Sequence, residues 1–189
     1  MRHKFFFSVF VYFFILIFIS LGSWQLIRLN WKLELISEIE NSINSEPVNF
    51  SGENPKNFKK VNFKANLKNS RLIYLYSLNE NGKPGFDIIN TIIIGNKNFL
   101  LNRGWIPKNF KNKNFDISNP NLTGILRKKS NKNYFKPEND ISKNYWFTLK
   151  DEDLLKFTGK KFSNYIIYET HDRSSFPKAK KVGANISNN

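Results

Sequence analysis

A chain of 189 residues with no cysteine excludes a disulfide framework, a Cys-ligated metal or cluster and thiol catalysis, so any folded domain must be held by its core. Its 30 Lys and Arg against 15 Asp and Glu give a formal charge of +15. The lysines are scattered among asparagines and form no stripe, and no nucleic-acid-binding motif accompanies them, so nucleic acid is not an expected partner and anionic lipid headgroups are the more natural target of the charge.

The chain opens on an uncharged apolar run at residues 5–21, filled with Phe, Ile, Val and Leu and broken only by Ser8 and Ser20. At 1.5 Å per residue the run spans about 25 Å, close to a hydrocarbon core. Only a helix satisfies its own backbone there, so the first expected partner is a lipid bilayer. Arg2 and Lys4 precede the run without a competing acid, which predicts a cytoplasmic N-terminus and an exoplasmic remainder. A cleaved signal peptide is the competing reading, because Ser20, Leu21 and Gly22 offer small residues at a peptidase spacing.

Residues 24–43 contain no Pro or Gly and are rich in Leu, Lys and Glu, which predicts that the helix continues out of the bilayer until Pro47. Trp24, Arg28, Trp31 and Leu35 fall on one stripe, flanked by Gln25 and Lys32. That stripe reads either as an interfacial belt at the headgroups or as a docking face, with Arg28 between two indoles.

A loop is expected over residues 49–60 and strands over 61–67 and 72–78, followed by a flexible loop at 79–85. Residues 86–94 and 97–106 form the clearest hairpin, turned at residues 95–98. In its second strand simple alternation places Phe99, Leu101, Arg103 and Trp105 on one face. An arginine in that row requires a carboxylate, a carbonyl or a ring, and Gly104 signals a bulge or the close approach of another backbone. A strand at 121–128, a helix starting near Thr148 and Asp151 and ending at Gly159, and a last strand at 165–169 complete the domain. The polar tail 173–189 is expected to be loose.

The expected fold class is therefore α+β: a cytoplasmic tip at 1–4, a transmembrane helix at 5–23, a membrane-proximal helix at 24–46, and an exoplasmic, mainly antiparallel, barrel-like domain at 60–172 with one or two helices, then the tail. Catalytic chemistry is thin. His3 lies at the anchor's tip, His171 stands near Glu169 and Asp172 without a second ligand at metal spacing, and Asp87 and Asp116 read as solvated carboxylates. Neither an enzyme nor a metal site is expected.

Two motifs are specific in combination. Gly22, Trp24, Gln25, Arg28, Trp31 and Lys32 leave the membrane helix, and Leu101, Asn102, Arg103, Gly104, Trp105, Ile106 and Pro107 stand at mid-chain. Together they resemble the surfeit locus protein 1 family of cytochrome c oxidase assembly factors, in its bacterial form. Weaker similarity runs through residues 85–91, 124–127, 135–140, Trp146 and 165–170. The resemblance implies a non-enzymatic, chaperone-like factor of the respiratory chain, placed in the bacterial plasma membrane with a periplasmic domain. It implies cytochrome c oxidase subunit I and assembly proteins as partners, and work around the insertion of haem a.

The family normally places a histidine-containing segment and a second membrane helix after an Asn-Asn pair such as Asn188 and Asn189. That histidine, the family's candidate haem ligand, does not occur here, so these residues are expected to hold no cofactor, and a sequence cut short of a longer protein is the expectation. A generic anchored periplasmic binding domain for envelope assembly is the alternative function.

Overall fold

A computed structural model describes residues 2–65, 71–113, 115, 121–129, 136–171 and 175–180. The chain divides into two units, residues 1–41 and 42–189. Helix α1 (Arg2–Asn44) is unbroken. It is the one helix among the described residues long and apolar enough to cross a membrane, and Phe5, Phe10, Phe13 and Leu16 of its apolar stretch are exposed. It ends where Ser45 Oγ donates to the Ser42 carbonyl at 2.7 Å, occupying one of the unpaired terminal acceptors just before Pro47.

The second unit is built on one sheet of seven strands: β1 (Val48–Asn49), β2 (Lys60–Lys64), β3 (Leu72–Leu78), β4 (Pro84–Ile94), β5 (Lys97–Pro107), β6 (Asn121–Lys128) and β7 (Tyr165–Glu169). Its order is β1-β2-β6-β7-β5-β4-β3. The β1–β2 and β5–β7 pairs are parallel and the others antiparallel. Helix α2 (Asp151–Thr158) packs Leu154 against Ile73, Ile89, Leu100 and Ile166 on one face. On the other face, Ile92 and Ile94 of β4 share a cluster with Val61 and Phe63 of β2, so the sheet coils strongly.

The α+β class holds, but the sheet is not a closed barrel: β1 and β3 are its edges. At the β3 edge a single residue, Trp146, stands where closure would require pairing with β1. Tyr76 N–H donates to the Trp146 carbonyl at 2.6 Å and Trp146 N–H to the Tyr74 carbonyl at 3.0 Å, which covers the edge without extending the sheet.

Four further expectations need correction. The loop expected at 49–60 begins inside the two-residue strand β1, and β2 starts at Lys60; the last expected residues of that strand, 66 and 67, lie outside the described residues. The loop at 79–85 is a tight turn in which Asn79 Oδ1 accepts from the N–H groups of Asn81 (3.0 Å) and Lys83 (2.8 Å). Helix α2 has Lys150 as its N-cap, while Thr148 is held by Asn139. The tail is not loose at 175–180: Trp105 and Lys178 exchange backbone hydrogen bonds of 2.8 and 3.0 Å, so this segment lies along the second half of β5.

Candidate functional site

The mid-chain motif is an architectural device. Asp87 lies opposite Trp105, and Ile89 opposite Asn102. Arg103 and Gly104 thus face the single residue Ile88, which is a β-bulge with one extra residue on β5. The bulge resets the alternation. Trp105 falls on the face of Asn102, Leu100 and Asp87, not in the row of Phe99 and Leu101 that simple alternation assigned to it, and Ile106 takes its place in that row opposite Phe86.

Each motif residue has a distinct place. Asn102 Oδ1 accepts from the Gly104 N–H at 2.9 Å, so its side chain replaces a ladder bond lost at the bulge, while its Nδ2 donates to Asp87 Oδ2 at 3.2 Å. Arg103 is fully buried, with Nε 3.7 Å from Glu169 Oε2 and Nη1 donating to the Phe115 carbonyl at 3.4 Å. The in-line arginine therefore finds both a carboxylate and a carbonyl.

Gly104, at φ +119°, lies where a Cβ would overlap the Lys178 carbonyl, so the strap at 175–180 requires glycine there. Trp105 packs its indole against Gly85 and donates from Nε1 to the Ser77 carbonyl at 3.3 Å. Pro107 ends β5 and starts the 3-10 turn Lys108–Phe110. Gly104→Ala is expected to lower stability by about 1–3 kcal/mol through strain at a positive φ. Faster hydrogen exchange at the Trp105 and Lys178 amides would localise the loss to the strap.

Asp87 is not a solvated carboxylate. It is buried, and its Oδ2 receives Lys180 Nζ at 2.9 Å in addition to Asn102; Lys180 also donates to Ser77 Oγ at 2.7 Å. Burial pushes the Tyr168 hydroxyl above its ordinary pKa; Asp87 adds to the rise, while Arg127 and a hydrogen bond with Asn102 oppose it. Sequence reasoning missed Asp87, Glu169, Ser77 and Lys180. An acid inside the apolar run of β4 was a legible signal for Asp87; nothing local marks Lys180. Asp116 lies outside the described residues.

In the first unit, Gly22, Trp24, Gln25, Arg28, Trp31 and Lys32 are all exposed on α1. Arg28 Cζ lies 5.4 Å from the centroid of the Trp24 ring, a cation–π pair along one helix face. No heavy atom stands within 4 Å of a Cβ placed at Gly22.

A concave feature lies beside the edge of β3. Tyr76, Tyr145 and Phe147 bring their rings together at centroid distances of 6.1, 5.7 and 5.1 Å. With Lys108, Lys136 and Pro137 they line a groove of about 500 Å³. Asn139 fixes the backbone that carries Phe147: its Oδ1 accepts from the N–H groups of Phe147 (2.7 Å) and Thr148 (3.0 Å), and its Nδ2 donates to Asp153 at 2.7 Å. Next to it, the Ser142 hydroxyl and then the Lys143 N–H hold the Asp140 carboxyl down from 3.8 to about 2.

A lowered acid stabilises the fold above its unfolded pKa, so this turn's contribution is complete above about pH 4 and fades as pH falls toward 2. Carboxyl NMR should place the Asp140 midpoint near 2, and Ser142→Ala should raise it.

Among the described residues no group of three His, Cys, Asp or Glu could hold a metal ion. His171 is exposed just after β7.

The family model described as the SURF1 family matches residues 12–188, which takes in both motifs. Surfeit locus protein 1 of Mus musculus is 27% identical over 166 residues, 74% of this chain and 54% of that protein. The SURF1-like protein of Rickettsia conorii is 30% identical over 177 residues, 89% of this chain and 73% of its own length. That of Rickettsia bellii is 27% identical over 168 residues, covering 85% and 70%. The chain thus spans about half the length of the mouse protein (54%). No solved structure matches it.

Proposed function

This chain belongs to the SURF1 family, and from that premise we propose that it is a membrane-anchored assembly factor for cytochrome c oxidase that works by binding and not by catalysis. The observation that carries the reading is the family match across residues 12–188, anchor and domain together. An apolar helix able to cross a bilayer supports the membrane location, and Arg2 and Lys4 ahead of it support a cytoplasmic N-terminus in the bacterial plasma membrane with a periplasmic domain.

In this reading the domain engages oxidase subunit I around the step at which haem a is placed. Trp24, Arg28 and Trp31 anchor the helix at the headgroups, and the motif from Asn102 to Pro107 keeps the sheet in the shape that its partner meets. The candidate surface for that partner lies outside the motif, whose arginine is enclosed by protein.

Affinity capture of the full chain from detergent-solubilised native membranes tests the proposal. Oxidase subunit I in the bound fraction is the expected result. Its absence, with other envelope proteins retained, would favour the generic envelope-assembly alternative.

A further inference from the structure

We propose that the groove formed by Tyr76, Tyr145, Phe147, Lys108 and Lys136 receives an acidic segment of the protein partner, one in which an aromatic or proline residue is flanked by Asp or Glu. This deepens the reading of the chain as a partner-binding factor and rests on it.

Three aromatic rings meet at the floor of this groove. Tyr76, Tyr145 and Phe147 are partly buried, as are Phe50, Phe157 and Tyr165 elsewhere in the domain, but these three touch one another and line a single groove. A cluster of rings held half in water gains most from a partner that completes its burial, and aromatic side chains of this kind dominate binding hot spots.

Charge points the same way. Lys129, Lys143 and Lys180 each pair with an acid, Asp151, Asp140 and Asp87 respectively. Lys111 is also committed, donating to the Lys143 carbonyl at 2.9 Å and lying 5.4 to 5.6 Å from the Tyr74, Phe86 and Tyr145 rings. Lys108 and Lys136 border the groove itself; both are exposed and, like most of this chain's lysines, neither pairs with a carboxylate among the described residues. Lys108 Nζ sits 5.8 Å from the Tyr76 centroid, so a cation stands directly over the ring floor. A segment that supplies carboxylates to both lysines and a ring or proline to the floor satisfies all of these groups at once.

The groove is also preorganised. Tyr76 belongs to β3, and its neighbour Trp146 is bonded to that strand on both sides. Asp140 and Tyr145 exchange backbone hydrogen bonds of 2.9 Å each, and Lys108 sits in the turn fixed by Pro107. The walls therefore exist before the ligand arrives, which lowers the ordering cost of binding. The volume of about 500 Å³ suits one or two side chains.

The test uses the full chain in detergent micelles and two fluorescent peptides, one with a Trp and a Pro among Asp and Glu, the other with every acid replaced by its amide. The acidic peptide should bind at least tenfold more tightly, and less so as salt rises. The double variant Lys108→Glu/Lys136→Glu should lose at least tenfold in peptide affinity and most oxidase capture, while its denaturant midpoint stays put. Tyr145→Ala should lose peptide affinity by a similar factor.

Equal binding of the two peptides, or an unaffected double variant, overturns the proposal. So does a double variant that loses only its binding to phosphatidylglycerol vesicles while still capturing oxidase, an outcome that assigns the lysines to lipid. If the unaltered chain captures no oxidase yet prefers the acidic peptide, the groove stands and the oxidase reading falls.

Discussion

Arg103→Ala is expected to destabilise the domain by about 3–5 kcal/mol, because it leaves Glu169 buried without its cation. Arg103 and Glu169 are each about 1% exposed, so water cannot compensate for the missing guanidinium. Glu169 lies on β7 and Arg103 on β5, which makes the pair a cross-link between two strands joined in parallel. Breaking a pair of this kind costs more than replacing it whole. The double variant Arg103→Met/Glu169→Met should therefore recover most of the loss, since an apolar pair of similar volume avoids the desolvation penalty.

Chemical denaturation of the detergent-solubilised chain, followed by far-ultraviolet circular dichroism, measures both. A loss below about 1 kcal/mol for Arg103→Ala, with oxidase assembly nevertheless abolished, would reassign Arg103 from scaffold to contact.

Trp146→Ala carries a comparable expectation, about 3–5 kcal/mol, from the cavity that it opens. The indole is fully buried among Ile73, Ile89, Leu100, Leu154 and Ile166, and its Nε1 donates to Asn144 Oδ1 at 2.8 Å. Its backbone also occupies the edge of β3, with Tyr145 and Phe147 on either side. The substitution should thus loosen both the α2 face and the ring cluster of the groove. Near-ultraviolet circular dichroism should lose aromatic signal along with stability. A variant that keeps its unfolding midpoint would show that the β3 edge does not depend on this side chain.

Local pattern made the α1 helix, the β4–β5 hairpin, β6, β7 and the Gly159 stop of α2 legible, because each rests on periodicity or turn chemistry within a dozen residues. Pairing between distant strands was not legible. Alternation along β7 shows a strand but not that β5 is its parallel neighbour and β6 its antiparallel one. The bulge carried a visible sign in Gly104, yet its consequence, the transfer of Trp105 to the opposite face, depends on the register with β4. Asp87 looked solvated because its cation, Lys180, stands 93 residues away in a tail without any periodic signal. The motif residues were easy to find for the opposite reason: Asn102, Arg103 and Gly104 each break the rule of an apolar strand, and each break is resolved by a separate contact.

A factor that serves the assembly of cytochrome c oxidase from the membrane, as we propose for this chain, has to limit oxidase activity in its own membranes. Deleting its gene in the native organism and measuring oxidase activity in isolated membranes, against succinate dehydrogenase as reference, tests this proposal most directly. Oxidase activity is expected to fall several-fold with the reference enzyme unchanged, and the full chain supplied in trans is expected to restore it. Undiminished oxidase activity in the deletion strain would contradict the proposal.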